Sequence, residues 1–331
     1  MPKPRYTQVS LEASPYYHCV SRCVRRAFLC GVDKQTGQSF EHRRQWIEDK
    51  LQYLAGVFAL DICAYAVMSN HYHVVLHIDK PLADYWTRDD IIQRWHQLFT
   101  SHPLSQRYCR GELLGKAEIA ALDKLVEIWR IRLTDISWFM RVMNEALARQ
   151  ANNEDDCTGR FWEGRFKSQA LLDEAALAAC MTYVDLNPVR AKLAKTPETS
   201  DHTSIKQRIQ KAQQAHIANH PQQQPLALMP FAGYPKEDMP RGLPFRLTDY
   251  MELVDWTGRI IREHKRGQID NQLSPILERL SIDPKQWCYL TQHFESKFKG
   301  LVGSAHKLKQ ACQALGYQRT PGIKNCLAYF P

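Results

Sequence analysis

Residues 62–78 read ICAYAVMSNHYHVVLHI, two runs of strand-forming residues separated only by Ser69 and Asn70. Val, Ile and aromatic residues favour strands, and two turn-forming residues are the shortest link that folds one strand back on another. The spacing predicts an antiparallel hairpin of 62–68 and His71–Ile78. Such a pair must lie side by side in one sheet and bury at least one face. Tyr16–Arg22 (YYHCVSR) reads as a further strand. Ile47, Leu51, Leu54 and Phe58 recur at spacings of four, three and four, predicting a helix within 41–60. Residues 83–150 read as helical, and 157–169 (CTGRFWEGRFKSQ) as a strand or hairpin. Asp173 stands where it would cap an apolar helix over 174–186, with Glu174 at the helix's positive end. Strands and helices in this order predict an α+β domain, an antiparallel sheet with helices on one face.

Residues 209–245 are rich in Gln and Pro and have no period, so they read as a linker. The chain thus divides into 1–208, carrying a helical insertion near 80–130, a linker, and a basic helical module over 246–331. At 44% apolar residues it is not a disordered protein. The longest apolar stretch, 53–60, is too short to cross a bilayer, and the N-terminus lacks the apolar core of a signal peptide. A cytoplasmic location is expected. The ten cysteines contain no C-x-x-C pair, which argues for reduced, half-buried thiols rather than a zinc site.

A net charge of +9 points either to a polyanionic partner, nucleic acid or an anionic membrane surface, or to a merely basic enzyme. Between residues 285 and 324 there are seven Lys/Arg, including Lys297, Lys299, Lys307 and Lys309, and one acid, Glu295. The net of 7 − 1 = +6 is either a solvated face or a nucleic-acid contact. The stretch around 300–316 is open to a helix–turn–helix reading, which the sequence does not establish.

His71 and His73 lie two apart on a predicted strand and so share a face, with Cα atoms ~7 Å apart. Two imidazoles at that separation can converge on one metal ion, or form a plain polar pair. His77 shares the face but lies ~13 Å beyond His73, too far to join them. Tyr72, Val74, Leu76 and Ile78 point to the opposite face, into a core. Tyr183, late in the capped helix, is either a packed core residue or a nucleophile. Attack by a tyrosinate on a phosphodiester retains the phosphoester energy in a phosphotyrosine. Asn187 follows four residues later, where its amide oxygen would either ligate a metal or cap a second helix beginning at Pro188.

Taken together, four segments resemble the Y1 HUH transposases of the IS200/IS605 type, and within them the REP-associated tyrosine transposases. They are YHCVSRCVRR at 17–26, AVMSNHYHVVLHI at 66–78, TGRFWEGRFKSQ at 158–169 and YVDLNPVRA at 183–191. The resemblance covers roughly 14–195. It implies a ferredoxin-like α+β core, His71 and His73 as metal ligands with Asn187 as the third, and Tyr183 as the nucleophile. It also implies Mg²⁺ or Mn²⁺, and single-stranded DNA cut and rejoined beside a hairpin, in a bacterial, nucleoid-associated setting. On that reading Arg22, Arg25, Arg26, Arg160, Arg165 and Lys167 track phosphates, with Phe161, Trp162 and Phe166 interleaved as stacking platforms or core residues. The 80–130 region and everything beyond the linker exceed the compact family core. A non-catalytic DNA-binding regulator on the same scaffold and a replication-initiator nuclease are the competing readings. Oligomeric state is open, and no membrane partner is expected.

Overall fold

A computed structural model of the protein describes residues 9–24, 29–33, 36–233, 241–263 and 275–330. Five strands form one sheet in the order β2-β3-β1-β4-β5: β1 Tyr16–Arg22, β2 Leu60–Val67, β3 His71–Ile78, β4 Lys167–Leu171 and β5 Leu301–Val302. Every pairing is antiparallel except β4 with β5. The predicted hairpin is β2 and β3, closed by a bond from the Met68 amide to the His71 carbonyl, 2.8 Å. Its register shifts between Ile62 and Ala64. Of the 157–169 segment only the end is strand. The rest is a loop that runs beside the end of β1, held by an antiparallel bridge between Trp162 and Cys23.

The helix α1, Arg43–Val57, buries Ile47, Leu51 and Leu54 as their spacing predicts, and Phe58 packs inward just beyond its end. Five helices follow β3: α2 Lys80–Tyr85, α3 Arg88–His96, α4 Pro103–Cys109, α5 Lys116–Leu133 and α6 Ile136–Glu154. After β4 come α7, Glu174–Asp185, and the short α8, Asn187–Arg190. Asp173 caps α7 as expected, its Oδ1 accepting from the Ala176 amide at 2.9 Å. Helices lie on both faces of the sheet, a correction to the one-faced arrangement. The Tyr72 hydroxyl reaches Asn144 of α6, while His73, on the opposite face, meets Tyr183 of α7. The sheet is a buried middle layer, which is why β3 is apolar on alternate positions and still shields Val75 and His73 completely.

The 209–245 segment is not a tether. Its first residues end α9, Ser204–Gln214, and Leu228, Met229, Phe231, Leu243 and Phe245 are buried; 234–240 lie outside the described residues. It is aperiodic because it covers an edge, not a face. The free side of β2 receives the Ser204 hydroxyl on the Tyr65 amide at 2.9 Å. The His202 carbonyl accepts from the Val67 amide at 3.1 Å, and the Ile62 carbonyl accepts from the Met229 amide at 2.8 Å. An uncovered edge would leave those groups open to pairing with another chain.

The C-terminal helices are α10 Leu247–Glu263, α11 Pro275–Arg279, α12 Pro284–Lys297, α13 Ala305–Ala314 and α14 Ile323–Tyr329. They are joined to the sheet. Strand β5 closes the β4 edge through Ala170 N to Gly300 O, 2.7 Å, and Leu172 N to Val302 O, 2.8 Å. Residues 300–316 therefore hold a strand and one helix, not the helix–turn–helix that the sequence left open. Gly303 passes so near the cap of α7 that a Cβ there would lie 2.8 Å from Asp173 Oδ2 and 2.9 Å from the Leu172 Cβ. That closeness lets the Ser304 amide donate to Asp173 Oδ2 at 2.6 Å. Glu174, besides its place at the helix start, accepts from Arg279 at 2.6 Å. No disulfide links the described chain, and seven of the ten cysteines are buried. No described helix is long and apolar enough to cross a membrane.

Asp185 shows how the added segments are pinned. Wholly buried, it accepts from the Ser204 hydroxyl, the Ile205 amide at 3.0 Å and the Tyr250 hydroxyl at 2.6 Å. One carboxylate thus joins α7, α9 and α10. Asp185→Ala strands these buried donors, at ~1–3 kcal/mol for each group left unsatisfied. We expect destabilisation of about 3 kcal/mol or more, read from urea or thermal unfolding; a loss under ~1 kcal/mol contradicts this role.

Candidate functional site

Strand register gathers the chemistry on one sheet face. Directly opposed residues share a face, and β1 places His18 opposite Gln169, Val20 opposite both His73 and Lys167, and Arg22 opposite His71. His18 and His73 are diagonal neighbours across β1 and β3, with ring centroids 5.2 Å apart and nearly parallel planes. The rings of His71 and His73 are 4.8 Å apart, and the Tyr183 ring lies 5.8 Å from that of His73. His77 sits at the far end of β3, bonded to Asp61 at 2.9 Å.

Hydrogen bonds decide what the imidazoles can do. The Gln169 amide nitrogen donates to the Phe298 carbonyl, which turns its oxygen toward His18. That oxygen lies 2.8 Å from His18 Nδ1 and can only accept, so Nδ1 carries the proton. His18 Nε2 then accepts from His73 Nδ1 at 2.9 Å. The proton of His73 is thereby fixed on Nδ1, and its Nε2 keeps a bare lone pair. Nε2 is buried and has no hydrogen-bond partner among the described residues. On His71, Nδ1 donates to Asn70 Oδ1 at 2.6 Å, again leaving Nε2 as the electron-pair donor. A hydrogen bond on one ring nitrogen fixes the tautomer and the orientation of the other, as metal-ligating imidazoles in general require.

The same burial keeps the rings neutral. It pulls the His71 pKa down to about 4, with the Arg22 charge adding to the effect. His73 is held well below the ordinary range by burial and then by His18 and His71. His18 is lowered by burial, against the opposing influence of Gln169 and Glu295. Three neutral imidazoles, two with inward lone pairs, therefore persist at ordinary pH.

Tyr183 is 7% exposed, and its hydroxyl donates to Glu295 Oε2 of α12 at 3.3 Å. The Arg190 guanidinium covers the ring at 3.9 Å. Burial pushes the phenol up to about 12; Arg190 opposes this and Glu295 adds to it. Arg190 donates to the Thr291 carbonyl at 2.9 Å and to Asn187 Oδ1 at 2.8 Å. Asn187 begins α8, where it makes no capping bond, and its oxygen serves Arg190. Among the described residues no cluster of three or more His, Cys, Asp or Glu is arranged to hold a metal.

The remaining cations separate into groups. Arg22, Arg165, Lys167 and Lys299 are exposed around the histidine face. Lys167 lies 3.9 Å from Glu295. Arg160 folds onto its own loop, donating to the Trp162 and Glu163 carbonyls. Trp162 is a strut: its indole donates to the Asn144 carbonyl at 2.9 Å and its ring meets Tyr72 at 5.9 Å. Phe161 and Phe166 are buried. Lys297 rests near the Tyr289 ring at 5.5 Å, while Lys307 and Lys309 are exposed on α13. Arg25 and Arg26 lie outside the described residues.

Sequence reasoning missed His18, Gln169, Arg190 and Glu295. His18 was visible as the imidazole in an otherwise apolar strand core, and Arg190 follows Tyr183 by seven residues, two helical turns. Glu295 stood out only as the lone acid in a basic stretch. Nothing local marks Gln169.

Among solved structures, one similar chain is a REP-associated tyrosine transposase bound to a REP hairpin. It is 12% identical, covers 64% of this chain and 87% of its own, and has a TM-score of 0.37. No protein-family model and no curated protein matches the sequence.

The depressed imidazoles set a pH dependence. Between the ordinary histidine value near 6.5 and about 4 for His71, the unfolded chain binds more protons than the folded one. Stability therefore falls as pH drops through that window. Proton NMR should place the His71 midpoint near 4, and Arg22→Ala should raise it; a midpoint at 6.5 would contradict the geometry.

Proposed function

We propose that the chain is a metal-dependent single-stranded DNA endonuclease and transposase, working through Tyr183 as nucleophile. One observation carries the reading: His71 and His73 present Nε2 lone pairs on the sheet face that Tyr183 overhangs, with their protons fixed elsewhere. Two imidazoles packed against a tyrosine would be an ordinary core. A buried, unpartnered nitrogen at their centre is not, because burying a polar atom without a partner is costly. The β2-β3-β1-β4 antiparallel order agrees with the ferredoxin-like core that the resemblance implies.

The residues fit a divalent ion to this extent: two neutral nitrogens come from the protein, and oxygens of phosphate and water suit Mg²⁺ or Mn²⁺ elsewhere. When bound, the ion supplies Lewis-acid polarisation of the scissile phosphate. Asn187 would join the ligands through the second lone pair of its oxygen, the first being taken by Arg190. In the reaction the Tyr183 oxygen attacks phosphorus and the bond to the 3′-oxygen breaks. The products are a 5′-phosphotyrosine and a free 3′-hydroxyl, and attack by a 3′-hydroxyl reverses the step. Glu295, already accepting from the phenol, receives its proton, and the departing 3′-oxygen takes up a proton from water to become the hydroxyl. Arg190 over the ring stabilises the tyrosinate, and Arg22, Arg165 and Lys167 attract the DNA backbone.

The closed state of Tyr183 favours a second reading. A hydroxyl tied to Glu295 and nearly out of solvent suits a non-catalytic DNA-binding regulator. Labelled hairpin-bearing single-stranded DNA, incubated with Mn²⁺ and run on denaturing gels, separates the two. A covalent adduct with wild type, lost in Tyr183→Phe and reduced at least 100-fold in His73→Ala with binding retained, is the expected result. Binding without an adduct across several flanking sequences would establish the regulator.

A further inference from the structure

Between β4 and the C-terminal residues lies a cavity of about 750 Å³ that adjoins the histidine face through His18 and Glu295. The volume falls within the ~300–1,000 Å³ of small-molecule sites, too small for a stack of base pairs. Its walls come from two parts of the chain brought together by the β4–β5 pairing. Phe166, Phe298 and the half-buried Tyr317 contribute aromatic surface. Arg165, Lys167 and Lys299 stand exposed along it. Neither Arg165 nor Lys299 has an ion-pair partner among the described residues. Aromatic walls with unpaired cations at the opening match a base attached to a phosphate, where rings stack on the base and cations neutralise the anion.

We infer that this cavity is a nucleotide site, taking one unpaired deoxynucleotide of a single strand whose neighbouring phosphodiester lies at Tyr183. The inference deepens the proposed function and rests on it for the identity of the strand. It also assigns the C-terminal region a part in selecting DNA. Lys299 and Tyr317 belong to that region, which also supplies Glu295, Phe298 and Leu301 to the wall.

The full-length protein is titrated with thymidine 5′-monophosphate, inorganic phosphate and a single-stranded thymidine hexamer, by calorimetry. Lys299→Glu, at an exposed position, and Tyr317→Ala, at a half-buried one, are compared with wild type after their melting temperatures are shown to be unchanged. The monophosphate should bind more tightly than phosphate, the hexamer more tightly still, and each variant should weaken both nucleotide ligands at least tenfold. Tyr183→Phe should bind all three as wild type does. Unchanged affinities in both variants, phosphate binding as well as the nucleotide, or a hexamer no better than the monophosphate would overturn the site. Nucleotide binding that follows Lys299 and Tyr317 while no covalent adduct ever forms would sink the nuclease reading alone. An adduct formed with undiminished affinity in both variants would sink the cavity alone.

Discussion

A histidine buried in a sheet destabilises it unless its ring nitrogens find partners. Here the need is met by a relay that runs across the strands: Phe298 carbonyl, Gln169, His18, His73. Each link settles the next, because an amide nitrogen that donates turns its oxygen to accept, and an imidazole with one nitrogen protonated must accept on the other. The relay ends at His73 Nε2, which has no partner among the described residues. The proposed chemistry depends on that orphaned lone pair.

The relay begins on Phe298, well beyond the first four strands, so the C-terminal region is coupled to the site by more than proximity. The same region supplies Glu295 to the Tyr183 hydroxyl, the Thr291 carbonyl to Arg190, and β5 to the sheet edge. Gly303 and Asp173 bring the two parts together where a side chain would keep them apart. Asp185 does similar work on the other side, drawing α9 and α10 onto α7. These links explain why residues beyond 208 behave as part of one core rather than as a second module on a tether.

Much of the arrangement was legible in the residues, and the reasons are local. The hairpin around Ser69 and Asn70, the strand at Tyr16–Arg22, the apolar face of α1 and the Asp173 cap depend on short-range periodicity and turn chemistry. The placement of His71 and His73 on one face follows from alternation alone. Trp162 read equally as a stacking platform or a core residue, and only its bond to the Asn144 carbonyl separates the two. The linker misled because aperiodic, Gln- and Pro-rich sequence looks the same whether it hangs free or lies along a sheet edge.

The sequence by itself determined the hairpin, the histidine pair and the tyrosine helix, since each is encoded within about twenty neighbouring residues. Tertiary structure decided which histidine nitrogen is bare, which carboxylate meets the tyrosine and what Asn187 holds. Those depend on contacts between residues 55 to 151 positions apart, or on a helix start that Arg190 reaches back to. Hydrogen bonds have direction, and side chains that meet only after the sheet has closed leave no period in the sequence by which to foresee them.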